Sequence, residues 1–238
     1  MQQVTIKAVI FDLDGTLVKF NLDYKTVRAE TKQILVKEGF PASIFSVDES
    51  IFGMLQKAQV YMKNNGKKEA EITKIRETIF KLAERHELEA ARTTELLPGA
   101  SETLKMLRKL KLKLGLFTIN CTAATDYMLK QLQLARFFQA VATRDCVEIV
   151  KPAPEHLTIV LKRLNVKPEE ALVVGDGISD MKSAQELKAT GIGVPMGVAT
   201  PEALMKAGAT CLITSLTDLP TLVNQYNQEN TSPKTAQD

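Results

Sequence analysis

The first hydrophobic segment of the chain is short and ends in acidic residues. Residues 4–11 are rich in β-branched and aromatic side chains, which in so short a run favour a buried strand over a helix. Asp12, Leu13, Asp14 and Gly15 follow directly and interrupt the strand pattern. We therefore predict one buried strand near the beginning of the chain.

The stretch that follows, residues 20–93, has the hydrophobic spacing of helices and no strand signal. Residues 24–38 are amphipathic and are followed by Gly39, a residue that commonly ends a helix. Residues 46–49 (SVDE) have the spacing of a capping box and predict the start of a second helix. A third helix is predicted over 69–91, where isoleucine and leucine recur on one face.

Beyond Pro98 and Gly99, strand patterns and helix patterns alternate. The predicted strands are 113–119, 139–143, 171–174, 192–194 and 211–214. The predicted helices are 100–110, 125–132, 154–164, 180–188 and 201–207. This alternation is typical of right-handed βαβ units, which form a parallel sheet covered by helices on both faces.

The two patterns together predict an α/β fold, with a Rossmann-like parallel sheet core and an all-helical domain inserted after the first strand. The predicted core comprises residues 1–18 and 94–228, and the helical insert comprises residues 19–93. Residues 229–238 are polar and carry no pattern, so we expect a flexible tail there.

Composition narrows the class of protein. The 238 residues are 25% charged and 45% hydrophobic, as in ordinary soluble proteins, and the net charge of +3 does not favour a nucleic-acid partner. The longest uncharged run, 189–201, is shorter than the about 20 residues of a membrane helix. Three scattered cysteines fit reduced thiols, and no signal-peptide pattern is present, so we expect a cytoplasmic monomer or homodimer.

Chemically reactive side chains follow the predicted strands at the points where the strands end. These residues are Asp12, Asp14, Thr118, Asn120, Lys151, Asp176 and Asp180. In an open parallel sheet, ligands bind at the carboxyl ends of the strands. We therefore expect these side chains to surround a single site.

The acidic residues of this set predict a bound cation. Asp12 and Asp14 lie two positions apart and point to the same side of an extended segment. Two carboxylates 4 Å apart repel by about 4 kcal/mol at an effective dielectric constant near 20, and Asp176 adds a third charge. Oxygen ligands without a nearby histidine or cysteine favour Mg²⁺ over zinc.

With a cation bound, one carboxylate can stay ionised as a nucleophile while the other holds a proton as a general acid. Lys151 can neutralise both the carboxylates and an incoming phosphate. Thr118 and the amides around Asn120 can donate hydrogen bonds to phosphate oxygens. The set is therefore typical of an enzyme that acts on phosphate esters.

The whole arrangement resembles the haloacid dehalogenase superfamily of phosphohydrolases. Its four motifs correspond to DLDGT at 12–16, the strand that ends in Thr118, Lys151, and GDGISD at 175–180, in the family's order. The helical insert is similar to the cap of the phosphoglycolate phosphatase and β-phosphoglucomutase branch. The resemblance covers essentially the whole chain.

The resemblance implies a role for each motif residue. Asp12 would attack phosphorus and form an aspartyl-phosphate, while Asp14 would protonate the leaving oxygen and then deprotonate the attacking water. Thr118, Asn120 and Lys151 would bind the transferring phosphoryl group. The implied Mg²⁺ ligands are Asp12, the backbone carbonyl of Asp14, and Asp176, and the supporting residues are Gly15, Gly177 and Asp180.

The chain departs from the family pattern after the second strand. Ile119 separates Thr118 from Asn120, where many relatives have the two residues in direct succession, and this leaves the role of Asn120 open. His156 lies close to Lys151 in the sequence but has no partner at metal-ligand spacing. We therefore expect His156 to pack in a helix or at the surface.

We expect a Mg²⁺-dependent phosphatase that acts on a small phosphorylated metabolite, without a nucleic-acid or membrane partner. A phosphomutase that returns the phosphoryl group to a sugar uses the same intermediate and is the alternative. A non-catalytic protein that binds a phosphorylated ligand is a third hypothesis. The third is disfavoured because the positions of nucleophile, acid, lysine and metal ligands are all filled.

Overall fold

The computed structural model describes residues 5–229, and within that range it has six strands and nine α-helices. The strands are β1 (Ala8–Phe11), β2 (Lys113–Phe117), β3 (Ala140–Ala142), β4 (Ala171–Gly175), β5 (Thr190–Gly193) and β6 (Cys211–Leu212). The helices are α1 (Tyr24–Lys37), α2 (Ile51–Asn64), α3 (Glu69–Ala91), α4 (Ala100–Lys109), α5 (Thr122–Gln131), α6 (Pro154–Leu164), α7 (Ile178–Glu186), α8 (Pro201–Lys206) and α9 (Leu219–Glu229).

The six strands form one parallel sheet in the order β3-β2-β1-β4-β5-β6. All four side chains of β1 are buried, because this strand is central and hydrogen-bonds to β2 on one side and β4 on the other. Since the strands are parallel, their carboxyl ends share one edge of the sheet. The predicted α/β fold is confirmed.

The chain divides into two compact units. One consists of Met1–Phe20 with Thr94–Asp238 and contains the sheet, and the other is Asn21–Thr93. In the first unit, Ile10, Phe117 and Val173 of the sheet share an apolar cluster with Leu157 and Val160 of α6. Burial of such side chains supplies most of the stability of a parallel sheet.

The second unit is the helical insert, in which α1, α2 and α3 surround an apolar core of their own. Ile72, Ile75 and Ile79 of α3 lie in this core, as their helical spacing predicts. The predicted start of α2 is wrong by a few residues. Ser50 caps the helix by accepting a hydrogen bond from the backbone N–H of Gly53, whereas residues 46–49 form a separate turn.

Two helices of the sheet unit, in contrast to α2, begin earlier than the sequence predicts. The Sγ atom of Cys121 accepts a hydrogen bond from the N–H of Ala124, so α5 begins at Thr122 rather than at 125. Asp180 does not begin α7 but lies in its first turn, where its carboxylate accepts a hydrogen bond from the N–H of Gly177. In both cases a side chain near the strand exit caps the helix.

The last described segment forms a helix, α9, which the sequence analysis does not predict because its residues carry no clear helical pattern. Of the predicted tail, 229–238, only Glu229 is described, and it is the last residue of α9. Residues 230–238 lie outside the described residues, and so does Val4 of the first predicted strand. Within residues 5–229, none of the helices combines the length and the apolar character needed to cross a bilayer.

Candidate active site

Lys151 lies between two carboxylates at the carboxyl edge of the sheet. Its Nζ atom is 2.5 Å from Oδ1 of Asp12 and 2.7 Å from Oδ1 of Asp180, and it also donates a hydrogen bond to the backbone oxygen of Phe117. Asp12 directly follows β1, and Phe117 is the last residue of β2. The side chains of the three charged residues are at most 11% exposed, so the lysine is held as a buried bridge.

Asp176, which directly follows β4, is held by neighbours on two other segments. Its carboxylate accepts one hydrogen bond from the hydroxyl of Thr16 and one from the backbone N–H of Val198, each 3.1 Å long. Gly15 and Gly197 pass so close that a Cβ atom on either would overlap the Asp176 carboxylate. Gly15 also has a positive φ of 75°, which glycine adopts without strain.

Asp14 is in contact with Asn120. The Nδ2 atom of Asn120 donates a hydrogen bond to Oδ2 of Asp14, and the backbone N–H of Asn120 donates to the Thr118 hydroxyl at 3.2 Å. Ile119, the residue inserted between Thr118 and Asn120, is exposed while its two neighbours are buried. The extra residue therefore turns outward, and Asn120 still reaches the site.

Burial dominates the electrostatics of the carboxylates. It raises the pKa of Asp12 to about 6, with the Lys151 charge opposing and the Asp176 charge adding to the effect. Burial also raises the pKa of Asp180 to about 6, although the Lys151 charge opposes this shift. The pKa of Asp176 is raised by burial and, to a smaller extent, by the charge of Asp180.

Burial disfavours the charged form of Lys151, but the charges of Asp12 and Asp180 outweigh it and raise the pKa of the lysine above its usual range. With Lys151 charged, three ionised carboxylates leave the cluster with a net formal charge of −2. Two uncompensated negative charges in a buried site are unfavourable, so a divalent cation would stabilise the ionised cluster.

The residues present fit such a cation. Asp12, Asp176 and Asp180 each offer a carboxylate oxygen, and these atoms lie within 4.8 Å of one another. An oxygen-only donor set is the kind that Mg²⁺ prefers. The group includes Asp180 rather than the side chain of Asp14, which contacts Asn120 instead; the predicted ligation by the Asp14 backbone carbonyl remains a prediction.

The structure thus brings the sequence-predicted residues together at one sheet edge. Asp12, Lys151, Asp176 and Asp180 form one cluster, and Asp14, Asn120 and Thr118 form a chain of contacts beside the β2 exit. Gly15 and Gly177 approach Asp176 and Asp180, respectively. The catalytic and binding roles assigned to these residues remain predictions.

Three further residues lie at the site although the sequence analysis does not predict them as site residues. Thr16 belongs to the first motif, but nothing in the sequence indicates that its hydroxyl binds Asp176. Val198 contributes a backbone N–H, and the residue type of Val198 does not indicate such a contact. The glycine at position 197 is a sequence signal for it, because a larger residue there would overlap the Asp176 carboxylate. His156 is fully buried and contacts Lys151, so the predicted packing role describes only part of its environment.

Comparison with known proteins identifies the family of this chain. A model of the haloacid dehalogenase-like hydrolase family matches residues 6–188. The chain belongs to the haloacid dehalogenase-like hydrolases. A phosphoglycolate phosphatase of Shigella dysenteriae serotype 1 (strain Sd197) is 27% identical over 249 residues, which cover 96% of this chain and 97% of that protein.

Two solved structures share the fold of this chain. A hydrolase from Pseudomonas syringae superposes with a TM-score of 0.65 at 26% identity, covering 92% of this chain and 98% of that one. A putative β-phosphoglucomutase from Thermotoga maritima has a TM-score of 0.58 at 24% identity, covering 92% and 99%. The predicted family and the prediction of a hydrolytic enzyme are confirmed, and the relatives agree with the phosphatase class.

Proposed function

We propose that this haloacid dehalogenase-like hydrolase is a Mg²⁺-dependent phosphatase that hydrolyses a small phosphorylated metabolite through a phosphoryl group carried on Asp12. The observation that carries the proposal is the buried bridge of Lys151 between Asp12 and Asp180, beside the third carboxylate of Asp176. Such a cluster has both the cationic group and the metal-ligand oxygens that phosphoryl transfer requires.

In the first step, an oxygen of Asp12 forms a bond to phosphorus as the bond from phosphorus to the leaving oxygen breaks. The leaving oxygen takes a proton from Asp14, so that the product departs as an alcohol. Asn120 holds the carboxyl group of Asp14 by a hydrogen bond and fixes its orientation for this transfer. The ammonium of Lys151 stabilises the negative charge on the transferring group.

In the second step, Asp14 acts as a base. It takes a proton from a water molecule, whose oxygen attacks phosphorus while the bond to the Asp12 oxygen breaks. Inorganic phosphate leaves, Asp12 is again a carboxylate, and Asp14 is again protonated. The same residue thus returns to its starting state in each cycle.

Asp12, Asp176 and Asp180 would hold the Mg²⁺ ion, which when bound neutralises the charge of the carboxylates and of the phosphoryl oxygens. Thr16 and Val198 keep the Asp176 carboxylate in one orientation. Gly15 and Gly177 leave room for the neighbouring carboxylates. Thr118 and Asn120 contribute hydrogen-bonding groups for the phosphoryl oxygens beside the β2 exit.

Phosphate release from a panel of phosphorylated metabolites tests the proposal. Phosphoglycolate is the first compound, because the relative at 27% identity carries that substrate in its name. We expect the wild type to release phosphate in Mg²⁺ and not in EDTA. In Asp12→Asn, we expect the rate of phosphate release in Mg²⁺ to fall by more than about 10³-fold. Asp126→Asn, which neutralises an exposed aspartate on α5, is the matched control and should retain activity.

The outcomes separate the hypotheses of the sequence analysis. Isomer formation from a sugar phosphate without release of inorganic phosphate would favour the phosphomutase. Binding of a phosphorylated ligand without turnover would favour a non-catalytic protein. Activity that survives Asp12→Asn would refute the assignment of the nucleophile, and release that ignores chelation would refute the metal.

A further inference from the structure

His156 connects the Lys151 segment to the end of β3. Its Nδ1 atom accepts a hydrogen bond of 3.3 Å from the backbone N–H of Lys151, and its Nε2 atom lies 3.1 Å from the backbone oxygen of Ala142. Because a backbone N–H can only donate and a carbonyl oxygen can only accept, Nδ1 must be unprotonated and Nε2 must carry the proton. This pair of contacts fits one neutral tautomer alone.

The ring of Phe117 links His156 to the head of the same lysine. His156 packs edge-on against this ring, with centroids 5.8 Å apart, and Nζ of Lys151 lies 4.5 Å from the ring centroid. Nζ also donates to the backbone oxygen of Phe117 at 3.3 Å. Both the backbone and the ammonium of Lys151 are therefore fixed by one packed group on β2, β3 and α6.

The surroundings keep the imidazole neutral. His156 is fully buried, and burial together with the nearby Lys151 charge lowers its pKa to about 4. An apolar side chain of similar size would fill the same space. It would leave the Lys151 N–H without the acceptor that His156 provides, so packing alone does not account for a histidine here.

We propose that His156 is a positioning residue, which fixes the backbone of Lys151 so that the ammonium is aimed between Asp12 and Asp180 at the transferring phosphoryl group. This inference rests on the proposed function, because it requires Lys151 to bind the phosphoryl group. His156 touches neither substrate nor metal in this account. It acts through the lysine.

Three substitutions separate the two hydrogen bonds. His156→Asn keeps an acceptor near the position of Nδ1, His156→Gln keeps a donor near the position of Nε2, and His156→Leu keeps neither. Val160→Ala on the same helix is the matched control, because Val160 is equally buried but lies in a purely apolar cluster. All four variants are expected to lower thermal stability.

Two measurements follow on each Mg²⁺-loaded protein: calorimetric binding of inorganic phosphate and kcat/KM for phosphate release. We expect His156→Leu and His156→Gln to lose about 10- to 100-fold in both, because the lysine is displaced from its working position. His156→Asn should retain most of both despite its lower stability. Val160→Ala should match the wild type in both.

Equal phosphate affinity and kcat/KM in the wild type and His156→Leu would overturn the inference and leave a structural role. A rescue by Gln rather than Asn would also overturn it, since the acceptor to Lys151 would then be irrelevant. If His156→Leu does not fold, the Asn and Gln pair decides the matter. A wild type that neither binds nor releases phosphate would instead refute the proposed function, and with it the basis of the inference.

Discussion

The interior of the helical insert is almost entirely apolar, whereas the carboxyl edge of the sheet buries charges. Within the insert, Asn21–Thr93, which the structure describes throughout, the buried polar residues are Thr31 and Glu87. At the sheet edge, Asp12, Lys151 and Asp180 are buried in direct contact. Burial of apolar groups stabilises a fold, while burial of charges is at best close to neutral. The insert interior therefore contributes to stability, and the buried charges of the sheet edge agree with the proposal that the chemistry takes place there.

The raised pKa values of the sheet-edge carboxylates also indicate that their charged forms are unfavourably buried. Burial raises the pKa of Asp12 and of Asp180 to about 6, which means that the folded protein disfavours their ionised forms. Lys151 offsets this unfavourable environment by pairing with both. We infer that substitutions at the sheet edge and in the insert interior act differently on activity and on stability.

The largest effect is expected from Lys151→Met, which removes the cation between two buried carboxylates. In EDTA at pH 7, we expect the free energy of unfolding to fall by about 3–5 kcal/mol, because a buried charge pair loses one partner. In Mg²⁺, phosphate release should fall by at least about 10²-fold. Urea denaturation and initial rates provide the two measurements.

Lys130→Met is the matched control for that experiment, because Lys130 is an exposed lysine on α5. Its stability should stay within about 0.5 kcal/mol of the wild type. If Lys151→Met proves as stable as this control in EDTA, the ion pairs of Lys151 with Asp12 and Asp180 do not stabilise the folded protein.

A smaller and purely structural effect is expected from Ile79→Ala in the insert interior. Ile79 is fully buried, so its truncation should lower the free energy of unfolding by about 2–5 kcal/mol through lost burial and a residual cavity. The chemical step should be unaffected at temperatures where the protein is folded. Urea denaturation and single-turnover rates test both statements.

Val36→Ala on α1 serves as its control, because Val36 is 40% exposed and the same kind of truncation there removes little packing. A single-turnover rate that falls in Ile79→Ala but not in Val36→Ala would contradict the separation of the two regions. It would give the insert interior a part in the chemistry itself.

The smallest expected effect is a pH dependence of stability from His156. The unfolded chain binds a proton near pH 6.5, but burial and the Lys151 charge lower the folded pKa to about 4. The stability contributed by neutral His156 is therefore complete above about pH 6.5 and is lost as the pH falls toward 4. The advantage of the wild type over His156→Asn should shrink across this window by up to about 3 kcal/mol.

Urea denaturation of both proteins in EDTA at several pH values between 4 and 7 measures this difference. The other titrating groups are common to both proteins and cancel in the comparison to first order. A difference in the free energy of unfolding that stays constant over the whole range would show that His156 does not titrate as its buried position requires.

The positions of Asp12, Lys151, Asp176 and Asp180 could be predicted because they depend on a general property of parallel sheets. Asp12 and Asp176 directly follow strands, while Lys151 and Asp180 lie in the segments that come after β3 and β4. The carboxyl ends of the strands in a parallel sheet meet at one edge, so these residues are brought together. The strand patterns were sufficient for this inference because β1 and β4 are short apolar runs that acidic residues interrupt. Errors of a few residues in the helix boundaries did not affect it.

The finer contacts depend on local backbone geometry that the sequence pattern does not encode. The hydrogen bond from Asn120 to Asp14 requires Ile119 to turn outward, and the one from Val198 to Asp176 uses a backbone N–H. The start of α2 illustrates the same limit, since residues 46–49 have the capping pattern but Ser50 provides the cap. Short-range alternatives of this kind differ by little free energy and are decided by tertiary packing.

Trapping the phosphorylated enzyme tests the central claim, the role of Asp12, most directly. The Mg²⁺-loaded protein is mixed with a substrate found in the metabolite screen, quenched in acid within one turnover, digested and analysed by mass spectrometry. We expect a mass increase of one phosphoryl group on the peptide that contains Asp12, and none in Asp12→Asn. A phosphoryl group on another residue, or turnover without any phosphorylated peptide, would contradict the account.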